Sequence, residues 1–313
     1  VTASWLVTGG CGFIGSHLVE ALLQRGDRVR ILDDLSTGRR HSVLAGAEII
    51  IGDVADPTAV ARAMAGVDGC FHLAAVASVQ RCNEDWLGTH RTNLTGAITT
   101  FDAARAARRG SPVPVVYASS AAVFGDNPDT PLAETAEVRP LSAYGADKLG
   151  CELHGRVAWS VHGVPNTGLR FFNVYGPRQD PSSPYSGVIA IFADRIAGGR
   201  TVEIFGDGQQ LRDFIFVGDV VACLIAAMAG TTANAQVFNV CTGRATSVLQ
   251  LAGIIGDIVG KRPDIVHRPP RDADIRISLG DPRAATAAFG FLPETQIPDG
   301  LRRTLAYQAD AQD

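Results

Sequence analysis

Short apolar runs alternate with longer amphipathic stretches through the first half of the chain. Residues 5–8, 29–32, 48–51, 70–73, 113–118 and 166–171 are compact apolar runs bounded by turn residues, the pattern of strands buried on both faces. Residues 16–24, 57–64, 84–108 and 141–161 carry apolar positions at helical spacing. Strand and helix in alternation predict right-handed crossovers and a parallel sheet. The second half is less regular. Residues 176–185 read as a Pro/Ser-rich loop, 188–197 as a helix and 201–205 as a strand. Strands at 214–217 and 236–240, with a helix to 228 between them, are expected to rejoin the sheet. Helices near 247–259 and 298–308 would belong to a small lobe. No internal repeat or low-complexity linker separates the parts, so the lobes are expected to interleave. The division is 1–174, rejoined by about 214–241, against 175–213 and 242–313. The fold class is therefore α/β, a Rossmann-type doubly wound parallel sheet with a smaller interleaved C-terminal lobe.

The loops at the carboxyl ends of such strands are where ligands bind. The first carries Val7-Thr-Gly-Gly-Cys-Gly-Phe-Ile-Gly15 between a strand and a helix. Its glycines fit both Gly-x-x-Gly-x-x-Gly and Gly-x-Gly-x-x-Gly, which allow a tight turn and let the backbone approach a pyrophosphate at the helix N-terminus. The second strand ends in Asp33-Asp34, at about the 20-residue spacing where a carboxylate meets the adenosine ribose. An acid there repels a 2′-phosphate, which favours NAD over NADP. Farther along stands Ser142-Ala-Tyr-Gly-Ala-Asp-Lys148. Tyr144 and Lys148, four apart, share a helix face. An ammonium there favours the phenolate, and such a tyrosine can exchange a proton with a reacting hydroxyl while a nicotinamide exchanges the hydride. Alone the pair is a common accident of amphipathic helices. Its weight comes from the fingerprint upstream.

Composition narrows the classes. The 313 residues are 46% hydrophobic and 19% charged, with net charge -4, so there is no basic footprint for nucleic acid. No apolar run reaches the roughly 18 residues of a membrane span. A strand beginning within the first few residues leaves no room for a signal peptide, and a cytoplasmic location is expected. The six cysteines, at 11, 70, 82, 151, 223 and 241, show no Cys-x-x-Cys or Cys/His spacing. They read as buried free thiols with no metal site.

Together these motifs resemble the extended short-chain dehydrogenases/reductases of the NAD-dependent nucleotide-sugar epimerase/dehydratase group, closest in pattern to UDP-glucose and UDP-N-acetylglucosamine 4-epimerases. The resemblance spans nearly the whole chain. It also rests on Gly52-Asp53-Val54, His72-Leu73-Ala74-Ala75, Asn93, Ser119-Ser120-Ala-Ala-Val-Phe-Gly125, Leu169-Arg-Phe-Phe-Asn-Val-Tyr-Gly-Pro-Arg178 and Gly206-Asp-Gly-Gln-Gln-Leu-Arg-Asp-Phe214. It implies NAD held by Gly9, Gly12, Phe13, Ile14, Gly15, Asp33, Asp34, Ser36, Asp53, Val54, Leu73, Ala74, Ala75, Asn93, Tyr144, Lys148 and Phe171. It implies a catalytic set of Ser120, Tyr144 and Lys148, with Ser120 bonding the reacting hydroxyl. It places a UDP-sugar against Ser78, Ser120, Asn173, Val188, Arg212, Arg271 and Ser278. Arg212 and Arg271 would grip the diphosphate with their planar forks, and Arg276 is a weaker candidate. Phe124 departs from the tyrosine common in that segment. A homodimer through the long helix near 84–108 and the Tyr144 helix is implied as well.

Members of the group share oxidation at sugar C4 and differ afterwards. Dehydratases carry an acid pair directly after the catalytic serine or threonine. Here Ala121 and Ala122 stand there, and alanine does no acid–base chemistry. What remains is return of the hydride to the opposite face, a 4-epimerisation. Ser278 falls where some relatives carry a bulky tyrosine, so UDP-glucose/galactose and their N-acetyl forms both have room. Asp180 follows Gln179 and would repel a uronate carboxylate. A UDP-glucuronate 4-epimerase, a 4-keto reductase or decarboxylase of the same fold, and a non-catalytic NAD-sensing regulator are the competing readings. The regulator is opposed by the retention of Ser120, Tyr144 and Lys148.

Overall fold

The computed structural model describes residues 2–107, 111–179, 187–230, 235–270 and 275–310. In chain order the first half runs β1 (Ser4–Thr8), α1 (Phe13–Gln24), β2 (Arg28–Asp33), β3 (Glu48–Ile51), α2 (Pro57–Met64), β4 (Gly69–His72), α3 (Val79–Glu84), α4 (Trp86–His90), α5 (Gly96–Ala106), β5 (Val115–Ser120), α6 (Ala143–His162) and β6 (Asn166–Phe171). The second half runs β7 (Asn173–Tyr175), α7 (Val188–Ala197), β8 (Val202–Phe205), β9 (Leu211–Phe216), α8 (Val217–Gly230), β10 (Gln236–Val240), β11 (Ala245–Ser247), α9 (Val248–Val259), β12 (Ile265–Arg268), β13 (Ile277–Ser278), α10 (Arg283–Phe289) and α11 (Ile297–Asp310).

Seven parallel strands form the main sheet in the order β10-β6-β5-β4-β1-β2-β3. The order reverses at β1 and β4. That reversal opens a crevice at their carboxyl ends, the usual ligand site of a doubly wound sheet. Both faces are covered, which is why the strands read as continuous apolar runs. Leu18, Val19 and Leu22 of α1 pack with Val220, Leu224 and Ala227 of α8 on one face. Val60 and Met64 of α2, Phe101 of α5 and Cys151 of α6 pack on the other. A second core joins Phe192 and Ile196 of α7, Leu251 and Ile255 of α9, and Phe214 and Phe216 of β9.

Two expectations need correction. The run at 214–217 does not rejoin the main sheet. It is β9, which pairs with β7, β11 and β13 in a smaller sheet, and only β10 returns to lie beside β6. An apolar strand buried on both faces looks the same whichever sheet takes it. Nor is 84–108 one helix. Asp85 leaves helical geometry at φ -120 and ψ 66, and its side chain caps α4 through the Gly88 amide. A π-helical turn at Arg91–Thr95 then leads into α5. In the second half, α10 packs on α8 and β10 of the main sheet rather than with the small sheets.

Six free cysteines are buried, and no group of His, Cys, Asp or Glu among the described residues could hold a metal. No described helix is long and apolar enough to cross a membrane.

Candidate active site

The crevice between β1 and β4 is a cleft of about 350 Å³. Its floor is the glycine turn. Gly9 has φ +70, and a Cβ there would lie 2.8 Å from the Ala74 backbone. A Cβ on Gly15 would stand 2.1 Å from the Gly9 carbonyl oxygen. Neither position tolerates a side chain, so the β1–α1 turn stays tight and its backbone stays bare. The N-cap of α1 is Gly12, which offers no side-chain acceptor. The first amides of α1 therefore face the cleft uncapped, as an anion site requires. Leu73, Ala74 and Ala75 form the facing wall, and Thr8 anchors it by accepting from the Ala74 amide at 3.2 Å.

At the end of β2, Asp33 is buried, and its carboxylate accepts from the Cys11 and Leu35 amides at 2.9 and 2.8 Å. It thereby closes the glycine turn. Burial pushes its carboxyl up from the usual range, while the two amide bonds oppose that shift. Each carboxylate oxygen keeps a lone pair for a ribose hydroxyl. Asp34 and Ser36 line the same end of the cleft, with Val54 beside them. The glycine turn, the bare helix end and this acid together fit a dinucleotide.

At the other end, Tyr144 and Lys148 enter on α6. Ser142 caps that helix through the Gly145 amide. Gly145 seats the first turn hard against the turn after β5, since a Cβ there would lie 2.6 Å from the Ala122 carbonyl oxygen. Ser120, at the end of β5, accepts from the Ala122 amide at 3.1 Å in that same turn. Lys148 is buried, donates to the Ala118 carbonyl at 2.9 Å, and holds its Nζ 5.8 Å from the centre of the Tyr144 ring.

Of the residues expected to hold NAD, Asp53 and Asn93 do not reach the cleft wall, and neither does the catalytic candidate Ser120. Asp53 accepts from Ala55 and pairs with Arg91. Asn93 is buried and grips both backbone groups of Val76, which does line the cleft. Ser78 is at the wall, and Phe171 lines it from β6. The other substrate candidates are on the smaller sheet and its neighbour. Asn173 is on β7, Val188 opens α7, and Arg212 on β9 sits in register opposite Ser278 on β13. Arg276 is engaged by Asp207 through two bonds of 2.8 and 3.0 Å, which keeps the Asp207 carboxyl at about 2. Arg271 and Asp180 lie outside the described residues.

The cleft also presents Thr37, Gly38, Ala77, Ser119, Arg81 and Thr92, none of which was expected. Thr92 sits in the π-helical turn that interrupts the stretch read as one helix over 84–108, and Arg81 sits in α3, just before that stretch. His72, on β4, is fully buried against Thr8 and Thr100. Burial, and secondarily the Lys148 charge, push its imidazole down to about 3.

The NAD dependent epimerase/dehydratase family model matches residues 5–241. The chain is 36% identical to the UDP-glucose 4-epimerase of Mycolicibacterium smegmatis, over 96% of this chain and 97% of that protein. It superposes on the UDP-glucose 4-epimerase of Thermotoga maritima, solved with UDP-glucose, with a TM-score of 0.94 and 34% identity over 99% and 100% of the two chains. The UDP-N-acetylglucosamine 4-epimerase of Methanobrevibacter ruminantium, in complex with UDP-N-acetylmuramic acid, gives 0.93 and 33% over 99% of each.

Proposed function

The chain belongs to the NAD dependent epimerase/dehydratase family, and on that premise we propose that it interconverts UDP-hexoses at C4 through a transient 4-keto sugar. The observation that carries this reading is the cleft end lined by Tyr144, Lys148 and Ser119, with Ser120 the next residue along the chain and Ala121 and Ala122 in place of an acid pair. NAD, held by the glycine turn and Asp33, would supply a hydride acceptor that is regenerated within each turnover, so no external reductant would be consumed. Tyr144 takes the C4 hydroxyl proton and gives it back. Lys148, fixed by the Ala118 carbonyl, places a positive charge beside that phenol. Ser120 bonds the C4 oxygen and orients it. Neither alanine can protonate a leaving hydroxyl, which opposes dehydration.

Arg212 and Ser278 face one another across β9 and β13, a pairing that suits a diphosphate grip beside a small side chain at the sugar. The relatives named above act on glucosyl and N-acetylglucosaminyl nucleotides, which supports both as substrates here. The test is incubation of NAD-loaded protein, freed of excess cofactor, with UDP-glucose, UDP-N-acetylglucosamine and UDP-glucuronate. The galacto epimer of one of the first two is expected. Products that are dehydrated, decarboxylated or formed only with added NADH would reject the assignment.

The same premise supports a homodimer. Leu153, Val157 and Val161 form an exposed apolar stripe on α6, and Trp86 and Leu87 of the neighbouring α4 are 68% and 83% exposed. A two-fold pairing through these helices covers them. Sedimentation of Val157→Glu against the parent protein checks it, a monomer being expected for the variant only.

A further inference from the structure

Behind the reacting groups lies a polar assembly that the chemistry above does not use. The Ser119 hydroxyl, at the cleft wall, donates to Glu152 Oε1 at 2.5 Å. Glu152 also takes two bonds from Arg170, Nε to Oε1 at 2.8 Å and Nη2 to Oε2 at 2.7 Å. These Arg170 and Glu152 side chains are only 5% and 2% exposed. Arg170 Nη1 donates to the Glu134 carbonyl at 3.1 Å, and the guanidinium lies 4.7 Å over the Phe124 ring. The Glu134 carboxylate accepts from the Asn239 amide at 2.7 Å, and Asn239 Nδ2 donates to the Leu132 carbonyl at 2.8 Å. The Leu132 amide donates to Leu279 at 2.8 Å, and its carbonyl accepts from Asp281 at 3.0 Å. Leu279 directly follows Ser278. A continuous line of polar contacts therefore runs from β5, through α6, β6 and the β5–α6 connection, to the end of β13.

A buried ion pair is a poor way to gain stability, because desolvation offsets its attraction and apolar side chains could fill the same space. Its position points to another use. Lys148 and Glu152 are one turn apart on α6 and grip consecutive residues of β5. Lys148 holds the Ala118 carbonyl and Glu152 holds the Ser119 hydroxyl. Ser120 is the next residue. We infer that Glu152 and Arg170 are positioning residues, which fix the reacting end of β5 against α6 so that Ser120 meets Tyr144 and Lys148. Through Glu134 and Leu132 they tie that register to the strand bearing Ser278. The inference rests on the epimerase reading above for its assay.

Removing one partner alone would strand a buried charge, so the test removes both, as Glu152→Leu with Arg170→Met. Ser119→Ala, which deletes one hydroxyl and no charge, is the second variant. Misplacing a reacting group by about 1 Å costs up to about 10²-fold in rate. Each folded, NAD-loaded variant is therefore expected to lose about 10- to 10²-fold in kcat, with KM for the UDP-sugar within about three-fold of the parent. Adding Ser119→Ala to the double variant is expected to cost little more, because both act through one contact. A kcat within about two-fold of the parent, whatever the change in melting temperature, overturns the positioning role and leaves the pair structural. If the double variant does not fold, Ser119→Ala decides on the same criterion. A parent protein that epimerises no UDP-sugar strikes the epimerase reading instead. The crystal structure of Ser119→Ala then decides: a displaced Ser120 and a broken Ala118–Lys148 bond support the inference, and superposable positions refute it.

Discussion

Buried behind the cleft, His72 should make this protein sensitive to mild acid. Its imidazole titrates at about 3 in the native state, because burial and the Lys148 charge disfavour the cation. In the unfolded chain it titrates near its ordinary value of about 6.5. Between those values the unfolded state binds a proton that the native state does not, so stability falls as pH falls. The loss begins near pH 6.5 and is complete near pH 3. A tenfold difference in proton affinity between the two states is worth about 1.4 kcal/mol, which makes the whole effect about 5 kcal/mol. Between pH 7 and pH 5 the loss due to this one side chain is about 2 kcal/mol. The perturbation is His72→Gln, which keeps a polar side chain and removes the titration. The assay is chemical denaturation of both proteins at pH 7 and pH 5. The quantity compared is the difference between the two pH values, not absolute stability, which the lost bonds to Thr8 and Thr100 also change. The variant should lose about 2 kcal/mol less than the parent on acidification. An equal loss in both would refute the reasoning.

Three further outcomes follow from the site. Tyr144→Phe should fold and keep its cofactor but lose activity by about 10²-fold or more; turnover near that of the parent would remove Tyr144 from the mechanism. Titration of cofactor-stripped protein should show clear preference for NAD over NADP, because Asp33 occupies the end of β2 where a 2′-phosphate would sit; equal affinities would contradict that. Ser278→Tyr should depress turnover of N-acetylated UDP-sugars far more than of UDP-glucose, since steric exclusion acts on one class only. Equal losses on both would place the wall elsewhere.

The residues that announced themselves in the sequence are those whose chemistry is local. Gly9, Gly12 and Gly15 of the first turn, Asp33 at the end of β2 and the Tyr144/Lys148 pair need only a strand, a turn and a helix around them, and all of these line one cleft. What the sequence concealed depends on long-range pairing. Nothing within 214–217 distinguishes a strand of the main sheet from one of the smaller sheet, because both are buried on both faces. The helical spacing over 84–108 hid the interruption at Arg91–Thr95, and with it the approach of Thr92 to the cleft; α3, which carries Arg81, is too short to show a period. Ser119, Glu152, Arg170, Glu134 and Asn239 form one assembly only after β5, α6, β6 and β10 come together. In sequence Ser119 and Arg170 stand within motifs but with no role of their own, and Glu134, Glu152 and Asn239 read as ordinary polar positions. Asn93 was legible as part of a motif, but its bonds to Val76, rather than contact with the cleft, had to be seen in the structure.

The central claim is that one hydride leaves sugar C4 and returns to C4 on the other face. UDP-glucose carrying deuterium at C4 tests it most directly, incubated with NAD-loaded protein in ordinary water and followed by mass spectrometry and NMR of the sugars. The account predicts an equilibrium mixture of gluco and galacto epimers, both retaining the C4 label, with no stoichiometric release of NADH. Washout of the label during epimerisation, or accumulation of a 4-keto-6-deoxy sugar in place of the epimer, would contradict it.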